Sequence, residues 1–117
     1  MALAMLVVTP SQATTEIDPL SGNYWLRVCT SEDTGDQTLC IGFILGLIEG
    51  SLFLEGSYQN IGSKMVKTQP LCVPQNIPAG QREDVFVKFL QDHPDKRHER
   101  ASILFIEATR DAFCQRH

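Results

Sequence analysis

Residues 39–54 form a nearly unbroken apolar stretch in which glycine recurs at every fourth position, at Gly42, Gly46 and Gly50. No other segment constrains the fold as strongly. It is 16 residues long and contains Glu49, whereas a spanning helix needs ~20 apolar residues to cross ~30 Å of hydrocarbon. The segment is therefore expected to be the central helix of a soluble bundle, with no membrane span in the mature chain. Leu39, Cys40, Phe43, Ile44, Leu47, Ile48 and Leu52 recur at spacings of three and four, which gives that helix a wide apolar face. Each glycine costs ~0.5–1 kcal/mol relative to Ala inside a helix. A stripe of three implies a close approach by another backbone. That backbone is expected to come either from helix packing within the chain or from a second copy in a homodimer.

The four cysteines, Cys29, Cys40, Cys72 and Cys114, form no C-x-x-C pair, so they read as structural rather than as a redox or zinc motif. Four cysteines allow three connectivities. Cys29 and Cys40 flank a polar stretch between two helical patterns, and Cys72 and Cys114 open and close the second half. The expected pairs are Cys29–Cys40 and Cys72–Cys114, worth roughly 3 and 4 kcal/mol in the chain-entropy model. Of the three histidines, His93 and His98 are separated by Pro94 and do not share the one-face i, i+4 spacing of a helical metal site. No metal and no cofactor is expected.

Four helices are predicted. The first covers residues 19–29, with Asp18 as N-cap and Pro19 in the first turn. The second is the glycine-striped segment, with Asp36 as its cap. A third follows Gly80, with Val85, Phe86, Phe89 and Leu90 facing the core, and Pro94 ends it. A fourth carries Ala101, Leu104, Phe105, Ala108, Ala112 and Phe113. Residues 56–70 read as a polar loop. The fold class is all-α, a small bundle of about four helices tied by two disulfides.

Charge is uneven. Residues 1–59 hold one base against seven acids, and residues 60–117 hold nine bases against seven, for a net charge of -4 in 117 residues. Such a balance argues against a nucleic-acid partner, which needs excess Lys and Arg. Residues 2–8 are apolar, and Pro10 with Ser11 and Ala13 resembles a signal-peptidase site. Residues 1–13 therefore read as a signal-peptide remnant, and residues 14–117 as a single exported domain. No phosphate loop, H-E-x-x-H or G-x-S-x-G is present. Glu49 is the best lone candidate for a buried general acid, but it has no obvious partner, and the chain is read as no enzyme, with no catalytic residues. Tyr58, Gln59 and Asn60 in one loop, and Lys96, Arg97 and Arg100 in another, are the candidate partner-binding residues, because polar loop residues near an aromatic or charged anchor suit a protein interface.

Several of these residues together resemble a known family. Cys29 closes the first helix, and Cys40-Ile41-Gly42-Phe43 with Gly46 opens a glycine-containing one. Leu71-Cys72-Val73-Pro74 follows, then Gln81, Val87-Lys88-Phe89-Leu90 and His93-Pro94. An Ala-rich helix with Ala101, Ala108 and Ala112 ends at Phe113-Cys114. Over roughly residues 20–114 the chain resembles the Rap/Tai-type immunity proteins of bacterial type VI secretion. Phe43 stands where Tyr is common in that family, and Phe113 directly precedes Cys114 where a Pro often intervenes. The resemblance implies a periplasmic, helical and often dimeric inhibitor. Such a protein binds and occludes a peptidoglycan-degrading effector, commonly a cell-wall amidase, and does no chemistry itself. It also implies disulfide roles for the four cysteines, packing roles for Gly42 and Gly46, and a turn at Pro74. A different class of reading is a periplasmic stress or acid-activated chaperone, whose titrating groups would be the three histidines and fourteen acids.

Overall fold

The first helix begins three residues later than predicted because Ser21, not Asp18, caps it. In the computed structural model, which describes residues 17–54, 58–61, 64–67, 72–74 and 76–114, α1 runs Gly22–Cys29. The Ser21 hydroxyl accepts the Tyr24 N–H at 3.3 Å and donates to the Asp18 carbonyl at 2.7 Å. The Asp18 carboxylate takes the Leu20 N–H instead, at 2.9 Å. The first N–H groups of a helix have no partner within it. Here the Gly22 N–H donates to the Glu99 carbonyl at 3.0 Å and the Asn23 N–H to the Arg97 carbonyl at 2.8 Å. The start of α1 is thus fixed by the connector 93–100, a tertiary partner invisible to local spacing. The signal-like residues 1–13 lie outside the described residues.

The second helix, α2, spans Thr34–Leu54. Its opening turn is held by Asp33 rather than by Asp36: the Asp36 N–H donates to the Asp33 Oδ1 at 3.0 Å. The Cys29–Cys40 disulfide, with Cα atoms 5.1 Å apart, staples α1 to α2 as expected. Trp25 of α1 lies flat on Phe43 of α2 with ring centroids 3.7 Å apart, which closes the same junction with aromatic area.

The four predicted helices are all present, and the one correction concerns the loop expected over residues 56–70. There β1 (Tyr58–Ile61) and β2 (Lys64–Lys67) pair antiparallel, with Tyr58 opposite Lys67 and Ile61 opposite Lys64. The two residues between the strands in sequence are Gly62-Ser63, a pair suited to two-residue hairpin turns. Downstream, Asn76 adopts a left-handed φ of 73°, a conformation Asn tolerates better than most side chains.

Helix α3 (Ala79–Asp92) and helix α4 (Ala101–Phe113) follow the predicted periodicity. Phe86, Leu90, Leu104 and Phe105 are fully buried, and the Phe86 and Phe105 rings meet edge to face at 5.7 Å. Cys40 and Ile44 of α2 and Val28 of α1 complete this core. Ala112 is exposed and only Phe113 of that pair is partly covered, so the core face of α4 ends a turn earlier than predicted. Arg82 is also buried, its guanidinium 5.3 Å over the Phe105 ring, with Nε and Nη2 lacking hydrogen-bond partners. Desolvation holds its pKa below the usual arginine value.

Of the two expected disulfides only Cys29–Cys40 stands at bonding distance; the second pair is near, with the Cys72 backbone N–H donating to the Cys114 Sγ at 3.0 Å. The glycine stripe departs from one of the two expectations. Cβ atoms added at Gly42, Gly46 or Gly50 would meet nothing within 4 Å, so among the described residues no helix packs on the stripe. Leu39 and Leu45 on α2 are also about half exposed, at 47% and 49%. Glu49 faces solvent, which removes the burial that made it a candidate acid.

Candidate partner-binding groove

The connector 93–100 that caps α1 also forms one wall of a groove of about 660 Å³. Helix α1 supplies Asn23, Leu26 and Arg27, the connector supplies Arg97 and His98, and Ile17 and Asp18 close one end. The position of Arg97 follows from backbone chemistry, because its carbonyl holds the Asn23 N–H. Its side-chain Nε is buried and has no hydrogen-bond partner. A buried charged donor without a partner costs about 1–3 kcal/mol or more. Arg27 sits in the last turn of α1, where the helix dipole favours a cation, with its guanidinium 5.3 Å over the Tyr24 ring. Arg27, Arg97 and His98 thus line the groove with one acid, Asp18, whose carboxylate already accepts the Leu20 N–H. The arrangement suits an anionic group entering from outside.

The predicted trio Lys96, Arg97 and Arg100 is divided among three surroundings. Lys96 pairs with Glu107 of α4 at 3.3 Å. Arg97 lines the groove. Arg100 lines a smaller hollow of about 130 Å³ with Leu20, Trp25 and Phe43. Tyr58, Gln59 and Asn60 lie on β1, paired with β2 rather than in a loop. Arg27 was not singled out in the sequence, although it is the only base among the first 59 residues. Its isolation was the available signal, but only the fold places it beside Arg97.

What the fold and groove define is a small helical protein with a disulfide-stapled core, a groove lined by two arginines and, among the described residues, an uncovered glycine stripe on α2. The chain matches the Rap1a immunity proteins over residues 21–114, and it belongs to that family. No curated protein and no solved structure matches it. Among the described residues, no helix is long and apolar enough to cross a membrane.

Proposed function

We propose that this chain is the immunity half of a type VI effector–immunity pair. In this reading it acts in the periplasm after export directed by residues 1–13, and it binds and blocks a peptidoglycan-degrading, amidase-type effector. It does no chemistry of its own. The observation that carries the reading is the family match across residues 21–114, and the cationic groove adds a place for the partner to sit. Arg97 and Arg27 engage a carboxylate-bearing segment of the effector, so that the unpaired Arg97 Nε gains its acceptor on binding. A second copy covers the glycine face of α2, and Cys72 bonds to Cys114 in the oxidised protein. Both proposals accord with the open stripe and with the 3.0 Å approach of the two cysteines.

The test is co-expression with exported amidase-class hydrolases from neighbouring reading frames, followed by affinity measurement on the pair that the chain protects against. Arg97→Glu is expected to weaken binding by about 30-fold or more, as loss of a central buried arginine does. Tyr58→Ala, Gln59→Ala and Asn60→Ala together serve as the competing surface. Protection against no hydrolase overturns the functional reading. Protection that survives Arg97→Glu but fails with the hairpin variant moves the contact from the groove to β1.

A further inference from the structure

A second groove, polar and about 470 Å³, opens where the α1–α2 junction meets α3, and the Cys29–Cys40 disulfide borders it. Glu83 of α3 lies on the same wall. One Glu83 carboxylate oxygen and the Sγ atoms of Cys29 and Cys40 all fall within 4.8 Å of one another. Cys40 is fully buried, and Cys29 and Glu83 are half-buried. The nearby cation, Lys88, is drawn away by Asp92 at 3.1 Å. Nothing in the linear spacing of the cysteines suggested this juxtaposition, because α3 supplies its third member.

We propose that the reduced chain carries a zinc-class divalent metal site, with the Cys29 and Cys40 thiolates and the Glu83 carboxylate as ligands and a fourth position open to the groove. In a tetrahedral site with Zn–S near 2.3 Å and Zn–O near 2.0–2.2 Å, neighbouring donors stand about 3.4–3.8 Å apart. Glu83 therefore needs to move by at most about 1 Å to join the sulfurs. The Cys29 and Cys40 Cα atoms, 5.1 Å apart, place both thiolates within reach of one ion once reduction has separated the sulfurs. Two soft thiolates with one carboxylate favour zinc over calcium or magnesium. The balance is simple: two thiols lose their protons to solvent as the metal enters, and the carboxylate binds as it stands. The disulfide and the metal exclude each other, because oxidation removes both thiolates. The same junction is thus clamped covalently under oxidising conditions and by a metal under reducing ones.

The experiment uses the full chain reduced with a phosphine, titrated with Co²⁺ as a spectroscopic probe and then with Zn²⁺ in competition. One equivalent of Co²⁺ is expected to give the thiolate-to-cobalt charge-transfer band of two sulfurs with the visible bands of a tetrahedral ion. Zn²⁺ displaces it. Glu83→Gln, nearly isosteric, is expected to weaken Zn²⁺ binding by on the order of ten- to a hundredfold. Glu83→Asp keeps the coordination but shifts the visible bands. The double variant Cys72→Ser/Cys114→Ser binds as the parent does, and the oxidised chain takes up no metal. Failure to take up one equivalent overturns the proposal. So does uptake indifferent to Glu83→Gln, or uptake lost in the Cys72→Ser/Cys114→Ser variant. Circular dichroism of each reduced variant confirms that a loss of binding is not a loss of helix.

Discussion

A Cβ built on Gly22 would sit 2.6 Å from the Leu104 Cδ1, 2.9 Å from the Leu90 Cδ2 and 3.1 Å from the Arg97 carbonyl oxygen, whereas Cβ atoms on Gly42, Gly46 and Gly50 would touch nothing within 4 Å. The same residue type serves two ends. At the start of α1, glycine lets the helix press against α3, α4 and the connector that satisfies its N–H groups. Along α2, the glycines sit bare beside half-exposed Leu39 and Leu45. A helix that is apolar around much of its circumference is normally buried. The molecule therefore divides into a finished core and an unfinished face. Among the described residues nothing of the chain covers the glycines of α2, and in the proposed function that face is assigned to a second copy.

The largest effect expected from this contrast is at Gly22. Leu104 and Leu90 could turn aside at a cost, but the Arg97 carbonyl is backbone and is held by the Asn23 N–H. Gly22→Ala is expected to destabilise by about 1–3 kcal/mol, on the order of 5–20 °C in Tm. A thermal melt with Tm unchanged would show that the tight approach is easily relaxed, and the distinction between the two regions would collapse.

At Gly46 the sign reverses. In dilute protein, Gly46→Ala is expected to stabilise by about 0.5–1 kcal/mol, because the helix gains propensity and no neighbour is disturbed. Gly46→Leu keeps the monomer folded but prevents two α2 faces from meeting. Light scattering on the parent and this variant separates the two effects. A parent that is monomeric at all concentrations removes the second copy from the proposal. A dilute Gly46→Leu sample that melts as low as Gly22→Ala would instead place a neighbour within the chain.

The contrast also marks where sequence reading works. The ends of α3 and the core residues Phe86, Phe89, Leu90, Leu104 and Phe105 were legible, because helical spacing and Pro94 are local signals. The Cys29–Cys40 staple was legible for the same reason: it closes a short polar stretch between two patterns. The start of α1 was not, because the carbonyls of Arg97 and Glu99 that receive its N–H groups lie some seventy-five residues away in sequence. The hairpin was overlooked although Gly62-Ser63 offered a turn signal, since only short strands flank it. The glycine period identified a face of α2 but could not say what covers it. At the groove, Arg97 was visible as a loop cation, while the pairing of Arg97 with Arg27 and of Lys96 with Glu107 depends on tertiary placement.

The smallest expected effect tests the finished region through charge rather than volume. Glu83 lies where α3 meets the α1–α2 staple, and desolvation there, with the neighbouring Asp84 carboxylate second, holds its carboxyl above the usual carboxylate range. A carboxyl with a folded-state pKa above its unfolded value favours folding when it is protonated. Its contribution is fully present below the unfolded value, near ~4.3, and is lost as pH rises through the folded one. At neutral pH the ionised Glu83 therefore costs stability in the oxidised protein. Glu83→Gln is expected to raise Tm at pH 7 by under about 2 °C, because partial exposure screens the penalty, and to bring no gain at pH 4. Melts of the two proteins across that range should diverge as pH rises. If they diverge in the opposite sense, the carboxylate has a favourable partner at the staple, and burial in the finished core is not what governs it.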